Sequence, residues 1–130
     1  DDYAHHPVEV KATIDAAKLG WKNRVISIFQ PHLFSRTRDF YKDFSKALNK
    51  SDVIIVTDIY PAREKPIKNI TSRVIVKELI KMGHKDVFYI PDVLSLPIFV
   101  KKIVISNDII LVMGAGNIWR ICENIYKEIK

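Results

Sequence analysis

The stretch Val25-Ile26-Ser27-Ile28-Phe29, followed by Gln30-Pro31-His32, decides the fold of this 130-residue chain. Four of its first five residues are apolar and do not alternate with polar ones, which is typical of a parallel strand buried on both faces. The proline ends this run, and a helical pattern begins near Ser35, which can cap that helix. The stretch therefore predicts a strand that passes into a helix through a short polar turn.

The same strand-then-helix pattern recurs along the chain. A short extended run opens the sequence, and apolar runs of strand length lie at residues 53–57, 87–90 and 109–113. Helical patterns follow near residues 7, 35, 71, 95 and 118. Buried runs separated by amphipathic helices predict one α/β domain over residues 1–130. We expect a doubly wound, mostly parallel, five- to six-stranded Rossmann-like sheet with helices on both faces.

Composition limits the classes of function. The net charge is +6, but the 21 lysines and arginines are spread thinly, and no zinc pattern, RNP motif or basic arm accompanies them. We therefore expect no nucleic-acid partner. The apolar runs are too short to span a bilayer, and the single cysteine excludes a disulfide framework. These features predict a cytoplasmic protein without a membrane partner. Because the chain begins with Asp, we expect it to be a fragment of a longer protein.

Polar segments follow the predicted strands at residues 1–6, 30–37, 58–65 and 114–117. The carboxyl ends of parallel strands share one edge of the sheet, so these segments are expected to converge there. This edge is the candidate site. The side chains and glycines expected on its rim are Asp1, Asp58, Arg63, Gly114, Gly116 and Asn117.

Three sequence patterns limit the kinds of nucleotide and metal site that this chain can form. The turn from Gly114 to Gly116 is not a dinucleotide fingerprint, because Trp119 occupies the place of the third glycine. It can present N–H groups to an anion, or it can simply let strand and helix pack closely. No G-x-x-x-x-G-K-[ST] segment exists, so the chain is not a complete ATP-driven ligase. His5, His6 and His32 have no zinc spacing, so we expect hydrogen-bonding or capping roles and no metal site.

Arg36 stands in the first turn of a predicted helix, where the macrodipole disfavours a cation. One interpretation is that its guanidinium faces a carboxylate or phosphate, for which its planar fork is suited. The other is that it is simply solvated, since the penalty on a surface is small.

Four motifs occur together in order. They are Asp1 to Pro7, Phe29–His32 with Ser35-Arg36-Thr37, Asp58 to Glu64, and Gly114 to Ile118. They resemble the C-terminal domain of the Mur ligases, ATP-dependent enzymes that add amino acids to the peptidoglycan precursor. The segment 29–37 is most similar to the alanine-adding branch of that family. The resemblance implies ATP, L-alanine and UDP-N-acetylmuramate as substrates, with ATP and Mg²⁺ bound mainly by the N-terminal and central domains, which this chain lacks.

The resemblance also implies roles for individual residues. Asp2 would bind the ATP ribose, and Tyr3 and His5 would lie at the nucleotide and amino-acid side of the cleft. His32 and Arg36 would hold the alanine carboxylate, and no catalytic residue is expected in this fragment.

Two positions depart from the family pattern. Leu33 stands where many members have a second arginine, and Asn117 replaces a frequent aspartate.

The alternative to a ligase domain is a free-standing nucleotide-binding or regulatory module without catalysis.

Overall fold

Four parallel strands form the centre of the molecule, for which a computed structural model describes residues 2–130. The strands are β1 (Val25–Phe29), β2 (Val53–Val56), β3 (Val87–Tyr89) and β4 (Ile109–Met113). They pair in the order β3-β2-β1-β4, and every pairing is parallel. β1 lies in the middle and is buried along its whole length, as its apolar run predicts.

Helices cover both faces of the sheet. They are α1 (Pro7–Gly20), α2 (Phe34–Leu48), α3 (Arg73–Lys81), α4 (Leu96–Ile103) and α5 (Cys122–Ile129), with short 3-10 turns at Val93–Ser95 and Ile118–Ile121. One core cluster joins α1, α2 and α3 to the sheet, and a second joins α4 and α5 to the opposite face. The α/β, doubly wound class is thus confirmed.

The predicted number of strands, five to six, is wrong, because the described residues form a sheet of four. In the part of the opening run that the structure describes, from Asp2 onwards, there is one bridge to β4. The Asp2 N–H donates to the Val112 carbonyl at 2.8 Å, and the Gly114 N–H donates to the Asp2 carbonyl at 3.2 Å. The chain then leaves the sheet, because the Asp2 carboxylate accepts a hydrogen bond from the Ala4 N–H and turns the backbone towards α1.

Smaller differences concern the later helices. α3 begins at Arg73, two residues after the expected start near residue 71, and Met82 beyond its end is 39% exposed. Cys122 is partly buried beside the α4–α5 cluster, and burial raises the pKa of its thiol. Within residues 2–130, no helix is both long enough and apolar enough to cross a bilayer.

Candidate functional site

The loops after β1 and β2 are joined by backbone hydrogen bonds beyond the ends of the strands. The Tyr60 N–H donates to the Pro31 carbonyl at 2.8 Å, and the Leu33 N–H donates to the Tyr60 carbonyl at 2.9 Å. His32 and Tyr60 form a parallel bridge between these two bonds. The two loops therefore form one platform at the carboxyl edge of the sheet.

Leu33 connects this platform to α2 in an unusual backbone conformation. Its φ of 73° and ψ of 139° lie in a region that residues other than glycine rarely adopt. Such a conformation costs on the order of 1–3 kcal/mol and persists only where neighbouring contacts hold it. Here the Leu33 carbonyl accepts from the Thr37 N–H at 3.2 Å and from the Thr37 hydroxyl at 2.9 Å. The sharp turn places His32 and Arg36 beside each other.

The start of α2 is capped by a distant carboxylate. The expectation that Ser35 caps this helix is wrong, because the helix begins at Phe34 and Ser35 lies inside it. Instead, the Glu64 carboxylate accepts from the Ser35 N–H at 2.8 Å and from the Ser35 hydroxyl. These two donors hold the pKa of Glu64 below its usual value. Glu64 thus supplies the negative charge that the helix's own first turn lacks.

His32 and Arg36 form the polar centre of the site. An Arg36 N–H donates to His32 Nδ1 at 3.1 Å, so the imidazole proton is on Nε2. Burial lowers the pKa of His32 most, and the nearby Arg36 and His5 lower it further, whereas Glu64 opposes them. His32 is therefore neutral near pH 7. Its ring stacks on Tyr60 at 5.8 Å between centroids and meets His5 edge-on at 5.9 Å.

The opening segment brings Tyr3 and His5 to the same edge. The Tyr3 ring is 69% exposed and lies 5.3 Å from the His5 ring. His5 Nδ1 donates to the Tyr3 carbonyl at 2.9 Å. These contacts place His5 between the exposed phenol of Tyr3 and the imidazole of His32.

Asp2 is anchored to α1. One of its carboxylate oxygens accepts from the Ala4 N–H and the other from the Thr13 hydroxyl, each at 2.9 Å. A carboxylate offers about four acceptor positions, so two remain for a ligand. Asp1, the other acidic residue of the opening motif, lies outside the residues that the structure describes.

The glycine turn after β4 packs against the platform. A Cβ on Gly116 would overlap the Tyr60 ring and come within 2.8 Å of Gln30 Oε1, so only glycine allows this approach. The Gln30 amide donates to Asn117 Oδ1 at 2.9 Å. Its own oxygen is buried and has no hydrogen-bond partner within residues 2–130. Of the two interpretations of this turn, close packing is the one that these contacts support.

The predicted rim residues fall into two groups. Asp58 and Asn117 line a cavity of about 380 Å³, together with Gln30 and Tyr60. Asp58 also accepts a hydrogen bond from the Tyr89 hydroxyl. Arg63, by contrast, is exposed and does not line that cavity. A larger groove of about 710 Å³ lies away from these residues, between α1 and α2.

No group of three His, Cys, Asp or Glu side chains between residues 2 and 130 is arranged to hold a metal ion. Glu64, Tyr60 and Gln30 make contacts that the sequence did not predict, although each lies in a predicted polar segment. For Glu64 and Tyr60, the one indication in the sequence was their place in the Asp58-to-Glu64 motif. The neighbouring sequence does not show which residues they contact.

Comparisons with known proteins identify the family of this chain. The family model described as Mur ligase, glutamate ligase domain, matches residues 1–116. A UDP-N-acetylmuramate–L-alanine ligase of Geotalea uraniireducens is 45% identical over 130 residues, which are 100% of this chain and 28% of that protein. The crystal structure of the UDP-N-acetylmuramate–alanine ligase of Thermotoga maritima aligns with a TM-score of 0.73 and 27% identity, over 98% of this chain and 25% of that one.

A murein peptide ligase of Psychrobacter arcticus has a TM-score of 0.78 over 99% of this chain and 26% of its own, but at 18% identity it supports the fold alone. The chain thus spans little more than a quarter of the length of its curated relative. Since the family model covers most of the sequence, the chain belongs to the Mur ligase family and corresponds to its C-terminal, glutamate ligase domain.

Proposed function

We propose that this chain is the C-terminal domain of an ATP-dependent ligase that joins L-alanine to UDP-N-acetylmuramate in the cytoplasm. The observation that carries the proposal is the Arg36–His32 pair at the carboxyl edge of the sheet. This pair lies within the segment that is most similar to the alanine-adding branch, and a relative named as that ligase is 45% identical over the whole chain.

Arg36 is the proposed anchor for the carboxylate of alanine. A guanidinium has five N–H donors in a planar fork, and one of them is used by His32 Nδ1. The remaining donors can bind both oxygens of a carboxylate. Since His32 is neutral and partly buried, it orients the guanidinium without adding a second positive charge that would repel the ammonium group of the incoming amino acid.

The opening segment is the proposed nucleotide side of the cleft. Asp2 has free acceptor positions on a carboxylate that Ala4 and Thr13 already hold in place, which suits recognition of the ribose hydroxyls. The exposed ring of Tyr3 provides a surface for the nucleotide, and His5 lies between it and the alanine anchor.

The chemistry would run through an acyl phosphate. The carboxylate of UDP-N-acetylmuramate would take the γ-phosphoryl group of ATP, with ADP as the leaving group, and the alanine amine would then attack the carbon of the acyl phosphate. The new C–N bond forms as the C–O bond to phosphate breaks, phosphate leaves with the electron pair, and the amine loses a proton. By closing over this intermediate, the domain would exclude the water that hydrolyses it. We assign the triphosphate and Mg²⁺ to the N-terminal and central domains, because this chain has no P-loop sequence.

Phosphate release by the full-length protein tests the proposal. We expect release from ATP only when both UDP-N-acetylmuramate and L-alanine are present, and none from residues 1–130 alone. Turnover by this fragment, or a full-length protein that prefers another amino acid, would refute the assignment. The alternative, a free-standing nucleotide-binding module, requires a reading frame without a P-loop upstream of this domain.

A further inference from the structure

We infer that Glu64 is a positioning residue for the alanine anchor: by binding Ser35 in the first turn of α2, it fixes where Arg36 presents its guanidinium. The inference rests on the proposed function, since it assumes that Arg36 binds alanine.

The first argument is the local geometry. The first turn of a helix has N–H groups without partners in the helix, and α2 has no side-chain cap of its own. Glu64 caps the helix instead: one of its carboxylate oxygens accepts a hydrogen bond from the Ser35 N–H, and the other accepts one from the Ser35 hydroxyl. Because Ser35 immediately precedes Arg36, holding its backbone and side chain restrains the backbone of Arg36.

The second argument is that Glu64 is attached independently of the helix it caps. Its own N–H donates to the Pro61 carbonyl at 2.8 Å and closes a turn after Tyr60. Tyr60 is bonded to Pro31 and Leu33 on the other side of the helix start. Removing the Glu64 side chain leaves those backbone bonds in place. The expected result is a looser first turn rather than an unfolded domain.

The negative charge of Glu64 also acts on the nearby imidazole of His32. Glu64 raises the pKa of His32, whereas burial and Arg36 lower it. Loss of Glu64 therefore leaves His32 neutral, so protonation of that imidazole cannot explain a defect in a Glu64 variant. Displacement of Arg36 is therefore the effect that the variants below are chosen to detect.

Steady-state kinetics of the full-length enzyme tests this inference, with alanine varied at saturating ATP and UDP-N-acetylmuramate. Glu64→Ala should raise the alanine KM by roughly tenfold to a hundredfold, the upper figure being the loss for a displacement of about 1 Å. Glu64→Gln should have an alanine KM much closer to that of the wild type, because the amide oxygen of glutamine can still accept from the Ser35 N–H. The ATP KM should not change. Lys65→Ala, an exposed neighbour, is the matched control and should match the wild type.

A double variant separates positioning from a general loss of structure. If Glu64 acts through Arg36, Glu64→Ala combined with Arg36→Ala should be no worse than Arg36→Ala alone. Independent, multiplying effects would overturn the inference. So would an equal rise in the KM of all three substrates with a lower melting temperature.

The Arg36→Ala variant distinguishes a failure of the positioning role of Glu64 from a failure of the proposed alanine site. If it raises the alanine KM while Glu64→Ala does not, only the positioning role fails. If it leaves alanine kinetics unchanged, the anchor itself is wrong, and the positioning role falls with it.

Discussion

Replacing Arg36 with alanine should weaken the binding of L-alanine to the full-length enzyme by about one to two orders of magnitude. A hydrogen bond to a charged group contributes roughly 1.5–3 kcal/mol, and about 1.4 kcal/mol corresponds to a factor of ten. The site is partly exposed, which favours the lower part of this range. Arg36→Lys keeps the charge but loses the planar fork, so it should recover only part of the loss.

The same substitution has a second readout at His32. Arg36 lowers the pKa of this imidazole, but burial lowers it more. In Arg36→Ala, the His32 pKa should therefore rise while remaining below its ordinary value. An NMR titration of the histidines measures this shift, whereas kinetics with alanine varied at saturating ATP and UDP-N-acetylmuramate measure the binding defect.

Arg38→Ala is the control, because Arg38 is exposed and paired with Asp39. It should leave alanine kinetics at the wild-type level. If Arg36→Ala does the same, the reasoning is refuted, and the carboxylate must be held elsewhere. Arg63 on the neighbouring loop would then be the next candidate.

Three further predictions concern other parts of the domain. Asp2→Asn should raise the ATP KM of the full-length enzyme by about one to two decades and more than the alanine KM; an equal loss in Asp1→Asn would show that the wrong member of the pair was assigned. Gly116→Ala should lower the free energy of unfolding by roughly 1–3 kcal/mol, because the added carbon overlaps its neighbours, and an unchanged urea midpoint would contradict this. The Asp108 side chain is 1% exposed, and its bonds to Arg24 lower its pKa. The stability it contributes is present above its unfolded-state pKa and lost as pH falls through the lower folded value. Melting temperatures of Asp108→Asn should therefore decline less towards acid than those of the wild type, and parallel curves would argue against the pair.

The strands were predictable because their signal is local. β1, β2 and β4 are apolar runs without alternation, and burial on both faces of a parallel sheet requires such runs. The opening run was counted towards the five to six strands, but within residues 2–130 Asp2 is the only residue of that run that pairs with β4. An apolar run long enough to form a ladder is missing there, and the Asp2 side chain turns the backbone away instead.

The meeting of the polar segments at one edge of the sheet was predictable, but their contacts were not. Parallel strands bring their carboxyl ends to one edge, which is enough to place His32 near the loop after β2. Local propensity, however, assigns Ser35 as a cap, whereas the cap comes from Glu64, 29 residues later. His84 shows the same limit: no local pattern predicts that its ring donates to the Ser51 carbonyl at 2.7 Å. Such pairings depend on how loops meet in space.

A crystal structure of the full-length protein with UDP-N-acetylmuramate, a non-hydrolysable ATP analogue and L-alanine would show which residues hold the alanine carboxylate. We expect the alanine carboxylate at about 3 Å from the Arg36 guanidinium, with His32 Nδ1 still accepting from the same group. An alanine carboxylate bound only by residues of another domain, with Arg36 facing solvent, would contradict it.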